Sequence, residues 1–511
     1  MKLYELDKSI FPPVSELVHN LYSKYGMFRN AGISGGGGNG GTDYTFLTTR
    51  ATIISTYVTG NTFYLDPING SDAAPGDGSS EHPWATIAKS QASCPAGSLV
   101  YLRSGNYGAM DDDAYGATRT NWTVYMNELG STPVITSLVC TGGSDYNLRL
   151  IFYGVKFAPA WVDPGASAPY NKTATPVYLY HANYFRFYNC EIVGTNKYLT
   201  VDSFYLSYTN YIFVERCRIH LTAEGPTYLY SSNLTFRYCY IYDLCASGIK
   251  DGTAGSSYIT IEGNHIRNLG YSTSDQYGSD AAYHGSIIAM NNGTYTIRNN
   301  FLHWGGGTNP ICFYTGGSPV YSDVLIENNV IYNATATVAI DMDNVAGVIF
   351  RNNTIIGRKR DPVETGDYRY NLSLYISGFA SGYDGSGLHI YNNIFVGLCG
   401  SGVSTTLVDK DYNIVYQGSF LDTAHSIVAS VDKTATYFES NFFNGTLTLR
   451  DPATDSILDL TLKAGSDGIN FGLASYQPSD SLGGFDENYE FLNPTGKARS
   501  ASAHDAGAYQ S

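Results

Sequence analysis

One nine-residue phrase returns eight times along the chain, and few folds can accommodate it. It reads FRFYNCEIV (185–193), IFVERCRIH (212–220), TFRYCYIYD (235–243) and TIEGNHIRN (260–268), then TIRNNFLHW (296–304), LIENNVIYN (325–333), IFRNNTIIG (349–357) and HIYNNIFVG (389–397). Each copy is an alternating strand, a polar corner and a second short apolar strand. The corner residue in register is Cys190, Cys217, Cys239, Asn264, Asn300, Asn329, Asn353 and Asn393, with gaps of 27, 22, 25, 36, 29, 24 and 40 residues. Helical repeats show apolar spacings of three and four, and these do not. Such a unit describes one turn of an all-β, single-stranded right-handed parallel β-helix.

Stacked turns lie about 4.8 Å apart, so the corner residues of successive turns stand above one another. Asn tolerates the left-handed backbone that a sharp corner asks for, and its amide can donate to the next Asn up. The repeat therefore predicts a buried Asn ladder, with the three Cys as its apolar continuation. The eight Cys in 511 residues are too sparse for a disulfide scaffold and include no CxxC pair. They read as buried thiols of a protein folded in a reducing cytoplasm.

Two phrases mark the ends of the solenoid. Residues 62–108 run strand, G-S-D, P-G, a Pro-aromatic-x-T-I helix start, and P-x-G-x-x-V-Y-x-x-x-G-x-Y. Gly70, Ser71, Asp72, Pro75, Gly76, Pro83, Thr86, Ile87, Pro95, Gly97, Val100, Gly105 and Tyr107 carry the pattern. It resembles the opening of the pectate-lyase-like β-helix superfamily, in which a short helix covers the first open turn. LTLKAGSDGINFG (460–472) and GKARSASAHDAGAY (496–509) resemble the closing phrase of the same families. The resemblance implies one β-helix over 62–511. Residues 1–61 are set apart: an amphipathic stretch follows Pro12 and Pro13, and a Gly-rich linker spans Gly35 to Gly41. They read as a short helix and linker that anchor or dock the chain.

Net charge is −15, with only 30 Lys and Arg, which argues against nucleic-acid binding. No run of 18 apolar residues is present, so no membrane insertion is expected. No apolar stretch of signal-peptide type follows Met1.

Candidate chemistry centres on VAIDMDNV (338–345). Val338, Ile340 and Met342 should point inward, and Asp341 and Asp343 outward with Cα atoms about 7 Å apart. That spacing suits either geometry of glycoside hydrolysis, which makes Asp341 and Asp343 the catalytic candidates. The same pair is an alternative calcium site through oxygen ligands; no other metal or cofactor is indicated. In SGIKDG (247–252), the family resemblance implies Lys250 as a proton acceptor of a lyase, with Asp251, Asp275 or Asp280 near calcium. The metal motifs and Arg-bearing phrase of known lyases are not recognisable, so Lys250 reads as a sugar-binding residue about three turns below Asp341. His284, Trp304 and Tyr314 complete the substrate-binding set. His220 and His265, inside the repeat, read as structural. Tyr178, Tyr180, Tyr184, Tyr188, Tyr198, Tyr205, Tyr208 and Tyr211 crowd into 34 residues and offer ring faces and hydroxyls to sugars or to neighbouring subunits.

These features together point to a tailspike-like bacteriophage adhesin that binds, and in its enzymatic form depolymerises, a host cell-surface polysaccharide. Hydrolysis is favoured over elimination. A homotrimer on a virion is expected, with residues 1–61 meeting virion or tail proteins. The chain stops at the closing phrase, so trimerisation falls to the β-helix flanks or the N-terminal segment. The alternatives are a secreted bacterial polysaccharide lyase or hydrolase, and a non-enzymatic virion rod.

Overall fold

The computed structural model describes residues 48–428 and Ser466. Excepted are 112–117, 160–174, 195–201, 245–246, 253–254, 270–285, 292, 306–309, 314–319, 334–337, 358–371, 418–420, 422 and 424–425. The amphipathic stretch before Gly26, the glycine run and both closing phrases lie outside these residues, Ser466 aside.

The described chain coils into a right-handed parallel β-helix, each turn contributing one strand to each of three sheets. The first sheet starts at Thr62–Leu65 and climbs through Asn210–Glu215, Ser257–Glu262 and Asp323–Glu327 to Asp409–Asp411. The second starts at Gly105–Asn106 and passes Arg218–His220 and Phe301–Gly305 to Ile427–Val428. The third runs from Ala109–Asp111 through Asp202–Ser207, Glu224–Leu229, Ile249–Asp251 and Val338–Met342 to the end of Ile394–Ser401. Strand alternation sends Val100, Phe152, Phe187, Val214, Phe236, Ile261 and Ile297 into one continuous core.

The corner between the first and second sheets holds the ladder. Asn300 Oδ1 accepts from Asn264 N at 2.9 Å and Asn264 Nδ2 at 3.0 Å. The pattern repeats with Asn329 above Asn300, Asn353 above Asn329 and Asn393 above Asn353. Asn413, which the repeat count left out, adds a further rung at 3.0 Å. One expectation needs correcting: the left-handed backbone falls on the residue before each ladder position. Asn299, Asn328, Asn352 and Asn392 take it, with φ of 54° to 59°. The first Asn of each Asn-Asn pair makes the bend and the second makes the ladder. Below Asn264, the buried thiols of Cys190, Cys217 and Cys239 point at the carbonyls of Phe152, Phe187 and Val214 at 3.6 to 3.7 Å. A weak S–H donor thus replaces the amide.

Immediately before that corner, on the same strands, a second column alternates in charge. Glu215, Arg237, Glu262, Arg298, Glu327 and Arg351 are consecutive register partners. Arg237 meets Glu215 at 2.5 Å, Arg298 meets Glu262 at 2.7 Å and Arg351 meets Glu327 at 2.7 Å. Opposite charges one rung apart support this register, whereas like charges directly opposite oppose it.

Two helices cover apolar surface at the lower end. Ile87–Ser93 is capped by Thr86, whose side chain accepts from Lys89 N at 3.1 Å. Asp72 holds the cap by accepting from Ala85 N and the Thr86 hydroxyl at 2.8 and 2.5 Å. Ile87 and Trp84 enter the core beside Leu65 and Tyr125, giving the Gly-Ser-Asp and Thr-Ile phrases their structural meaning. The other helix, Arg50–Tyr57, was not anticipated. It packs Ile53 against the outward side chains Leu99, Val124, Met126 and Ile151 of the first sheet.

Replacing Asn329 by Leu strands buried partners on both neighbouring rungs and on Ile297 O. A loss of about 3 kcal/mol or more is expected, since each stranded group costs ~1–3 kcal/mol. Asn329→Cys, which repeats the solution used at Cys239, should melt between wild type and Asn329→Leu. Equal melting of all three would remove the ladder from the stability account. Arg298→Glu places three carboxylates on consecutive rungs and should lower the melting temperature more at low salt than at high salt.

Candidate functional site

The corner between the third and first sheets differs in kind from the Asn corner. Between residues 181 and 258 each turn there bends twice, three residues apart, and aromatic side chains occupy most of the bends. His181 and Tyr184, then Tyr208 and Tyr211, then Tyr230, and above them Tyr258, have φ between 50° and 64°. A non-glycine residue in this region costs roughly 1–2 kcal/mol; at the Asn corner Asn299, Asn328, Asn352 and Asn392 meet the same need, while Arg216, Tyr238 and Tyr412 meet it on other turns. Ring stacking offsets part of the cost. His181 lies 4.7 Å from Tyr208, Tyr208 lies 4.8 Å from Tyr230, and Tyr184 lies 4.7 Å from Tyr211, all near parallel. Stacks of this kind contribute ~0.5–1.5 kcal/mol per pair.

Two aromatic ladders result, and between them lies a cleft of about 490 Å³. The ladders form its walls; Asn147, Asn183, Thr209, Asn210 and Ser232 form its floor. Tyr211 and Tyr230 remain 47% and 48% exposed although each stacks on a neighbouring ring. The floor is fixed from beneath. Asn233 Nδ2 and Tyr211 N donate to Asn210 Oδ1 at 2.7 and 3.1 Å. The Ser232 and Ser257 hydroxyls bond at 2.9 Å, and Thr209 donates to the buried Ser231 hydroxyl at 3.1 Å. Behind them Ser256 and Tyr295 donate to the buried Asp251 carboxylate at 3.1 and 2.6 Å. The side chain of Asn183 is the exception. It is 7% exposed, and its carbonyl oxygen has no donor among the described residues. An acceptor left so is costly unless something supplies a proton to it.

The sequence candidates are distributed differently. Asp341 is paired in register with Cys312 and Tyr375, between the fully buried Ile340 and Met342. Asp343 lies one residue beyond the strand Val338–Met342, half-buried, with Oδ1 accepting from Asn344 N at 2.9 Å. The two acids therefore do not share one strand as expected, because the strand ends at Met342. Lys250 does lie three rungs from Asp341, through Ala289 and Cys312. It is on a strand rather than in a turn, and its ammonium meets both oxygens of Glu224 at 2.9 and 3.0 Å. Asp251 points inward and is buried, away from any outer calcium position. Among the described residues no three His, Cys, Asp or Glu converge as metal ligands. Trp304 falls on the strand Phe301–Gly305; His284, Tyr314, Asp275, Asp280 and Tyr198 lie outside the described residues. His265 is buried between Tyr240 and Phe301, and His220 meets Glu191 at 3.1 Å.

Of the tyrosine cluster, Tyr184, Tyr208 and Tyr211 line the cleft, while Tyr188 is buried. His181, Asn183, Asn210 and Tyr230 were missed. Their signal was present: His181, Tyr208 and Tyr230 are 27 and 22 residues apart, the spacings of Cys190, Cys217 and Cys239.

Beside Lys250, at the start of the strand Asp202–Ser207, the Thr227 hydroxyl donates to Asp202 at 2.6 Å. Burial, and then the Glu224 carboxylate beside it, push the Asp202 carboxyl up to about 7. The folded chain thus keeps a proton that the unfolded chain releases near pH ~4. Stability from this group is present at low pH and is lost as pH rises through about 7. Asp202→Asn should therefore raise the melting temperature at pH 8 and lose that advantage toward pH 4; a constant difference between the two would contradict the assignment.

Residues 170–292, which include most of the cleft, match the family model described as "Right handed beta helix region". No curated protein matches the sequence. Among solved structures, pectate lyase Pel9A is 14% identical over 89% of this chain and 98% of its own, with a TM-score of 0.47. A rhamnogalacturonan lyase is 16% identical over 79% and 97%, at 0.37. An alginate lyase from Paenibacillus sp. str. FPU-7 is 13% identical over 73% and 92%, at 0.31. Repeat, register and family match agree, and the chain is a right-handed parallel β-helix protein.

Proposed function

We propose that this β-helix binds a polysaccharide in the cleft between its two aromatic ladders. The observation that carries the reading is the pairing of exposed, backbone-strained aromatic walls with a polar floor, complete in the two turns of His181/Tyr184 and Tyr208/Tyr211. Backbone strain of this kind persists where the surrounding structure over-determines it, and such positions gather at binding sites. Sugars present both C–H surface and hydroxyls, and the cleft answers both. Because the ring faces are taken up by neighbouring rings, a glycan meets ring edges and phenol hydroxyls along the walls. A full ring face is open only where a ladder ends.

In this reading the protein is a tailspike-like adhesin for a host cell-surface polysaccharide. The virion location, the homotrimer and the docking role of residues 1–61 rest on the sequence alone. Cleavage is a separate property: with Lys250 committed to Glu224, hydrolysis involving Asp341 and Asp343 is favoured over elimination.

Affinity electrophoresis in gels containing host surface polysaccharide tests the proposal. Tyr211→Ala and Tyr230→Ala should each weaken retardation about ten-fold, the equivalent of ~1.4 kcal/mol, with the circular dichroism spectrum unchanged. Undiminished retardation in both variants places the binding surface elsewhere. Assays of reducing ends with Asp341→Asn and Asp343→Asn separate binding from cleavage. Both should bind normally, and loss of activity is expected only if the wild type cleaves.

A further inference from the structure

We infer that the cleft selects an uncharged polysaccharide and reads its successive sugar residues at one subsite per turn. This rests on the cleft being the glycan site. The chain carries 45 acidic and 30 basic side chains, yet none of the described residues that line the cleft is Asp, Glu, Lys or Arg. Among the described residues, Arg149 is a cation that packs against a wall residue. Its guanidinium lies 4.6 Å from the centre of the Tyr184 ring and donates to the main-chain oxygen of Arg119, so it is already engaged. A carboxylate- or sulfate-bearing glycan entering the cleft would shed water and meet no cation in the described lining, only the Arg149 guanidinium behind the Tyr184 ring. It would also approach against the field of a chain with net charge −15.

What the cleft does offer is matched to hydroxyl groups. Asn183 supplies an acceptor with no donor among the described residues, and Asn147, Asn210 and Ser232 supply further amide and hydroxyl groups on neighbouring turns. The set recurs with the rise of the β-helix, about 4.8 Å, which is close to the advance of one pyranose in an extended chain. Polar groups recurring in register, Asn147 with Asn183 and Asn210 with Ser232, favour a regular polymer over a branched one. The absence of carboxylates on the ligand also excludes elimination in this cleft, because elimination draws on the acidity of a carbon next to a carboxyl.

The test is calorimetric titration of the full chain with two panels of oligosaccharides of equal length. One panel is neutral: fragments of dextran, mannan, galactan and chitin. The other is acidic: fragments of polygalacturonate, alginate and hyaluronate. At least one neutral oligomer should bind, with affinity changing less than two-fold between low and high salt and falling about ten-fold in Tyr211→Ala. Asn183→Leu should weaken that binding by a similar factor without lowering the melting temperature, because it removes an acceptor that no described group uses. Tightest binding to an acidic oligomer, lost in Tyr211→Ala, overturns the charge selection and leaves the cleft as the glycan site. Binding that survives both Tyr211→Ala and Tyr230→Ala, or no binding in either panel, overturns the cleft assignment and the selection with it. Ser232→Lys gives an independent check: it should create affinity for the acidic panel at low salt, and no gain counts against the inferred charge basis.

Discussion

Everything in this molecule follows from parallel strands stacked at one fixed rise, so that each side chain meets its counterpart from the turn below. The contact is made once per turn and repeated, which turns a local preference into a column. Inside, the columns are aliphatic and aromatic. At one corner the column is amide on amide, with Asn264 to Asn413 each closing the hydrogen bonds of its neighbour. At the other it is ring on ring. Neither column has an equivalent in a single turn; both are properties of the stack.

The fold was legible because the ladder leaves its mark in every copy of the phrase. A residue whose partner is its own counterpart must recur in register, and Asn does. The αL assignment was misplaced by one residue because both members of an Asn-Asn pair suit a turn, and composition does not say which bends. The charged column was equally readable. The phrases carry Glu215, Arg237, Glu262, Arg298, Glu327 and Arg351 in strict alternation, and reading down the copies rather than along each one exposes it.

The candidate site was less legible, for a physical reason. Periodicity reports which face a residue takes on a strand, but a corner has no period of its own. The aromatic corner shows only as tyrosine excess until register brings His181, Tyr208 and Tyr230 together. The Lys250–Glu224 ion pair was not legible because Glu224 is 26 residues away in sequence and one turn away in space. Asp343 failed as a strand residue because the strand stops one position short of it. Alternation along a sequence does not mark where a strand ends.

The alternating column bears on how such a molecule can change in length. Loss of one complete turn from the middle of the column brings Glu against Glu or Arg against Arg, whichever turn is lost. Loss of two adjacent turns restores opposite neighbours. Between Glu215 and Arg351 the solenoid is therefore divisible in pairs of turns and resists odd changes. Duplication and deletion over this stretch inherit a parity rule that the uncharged ladder beside it, indifferent to which Asn follows which, does not impose.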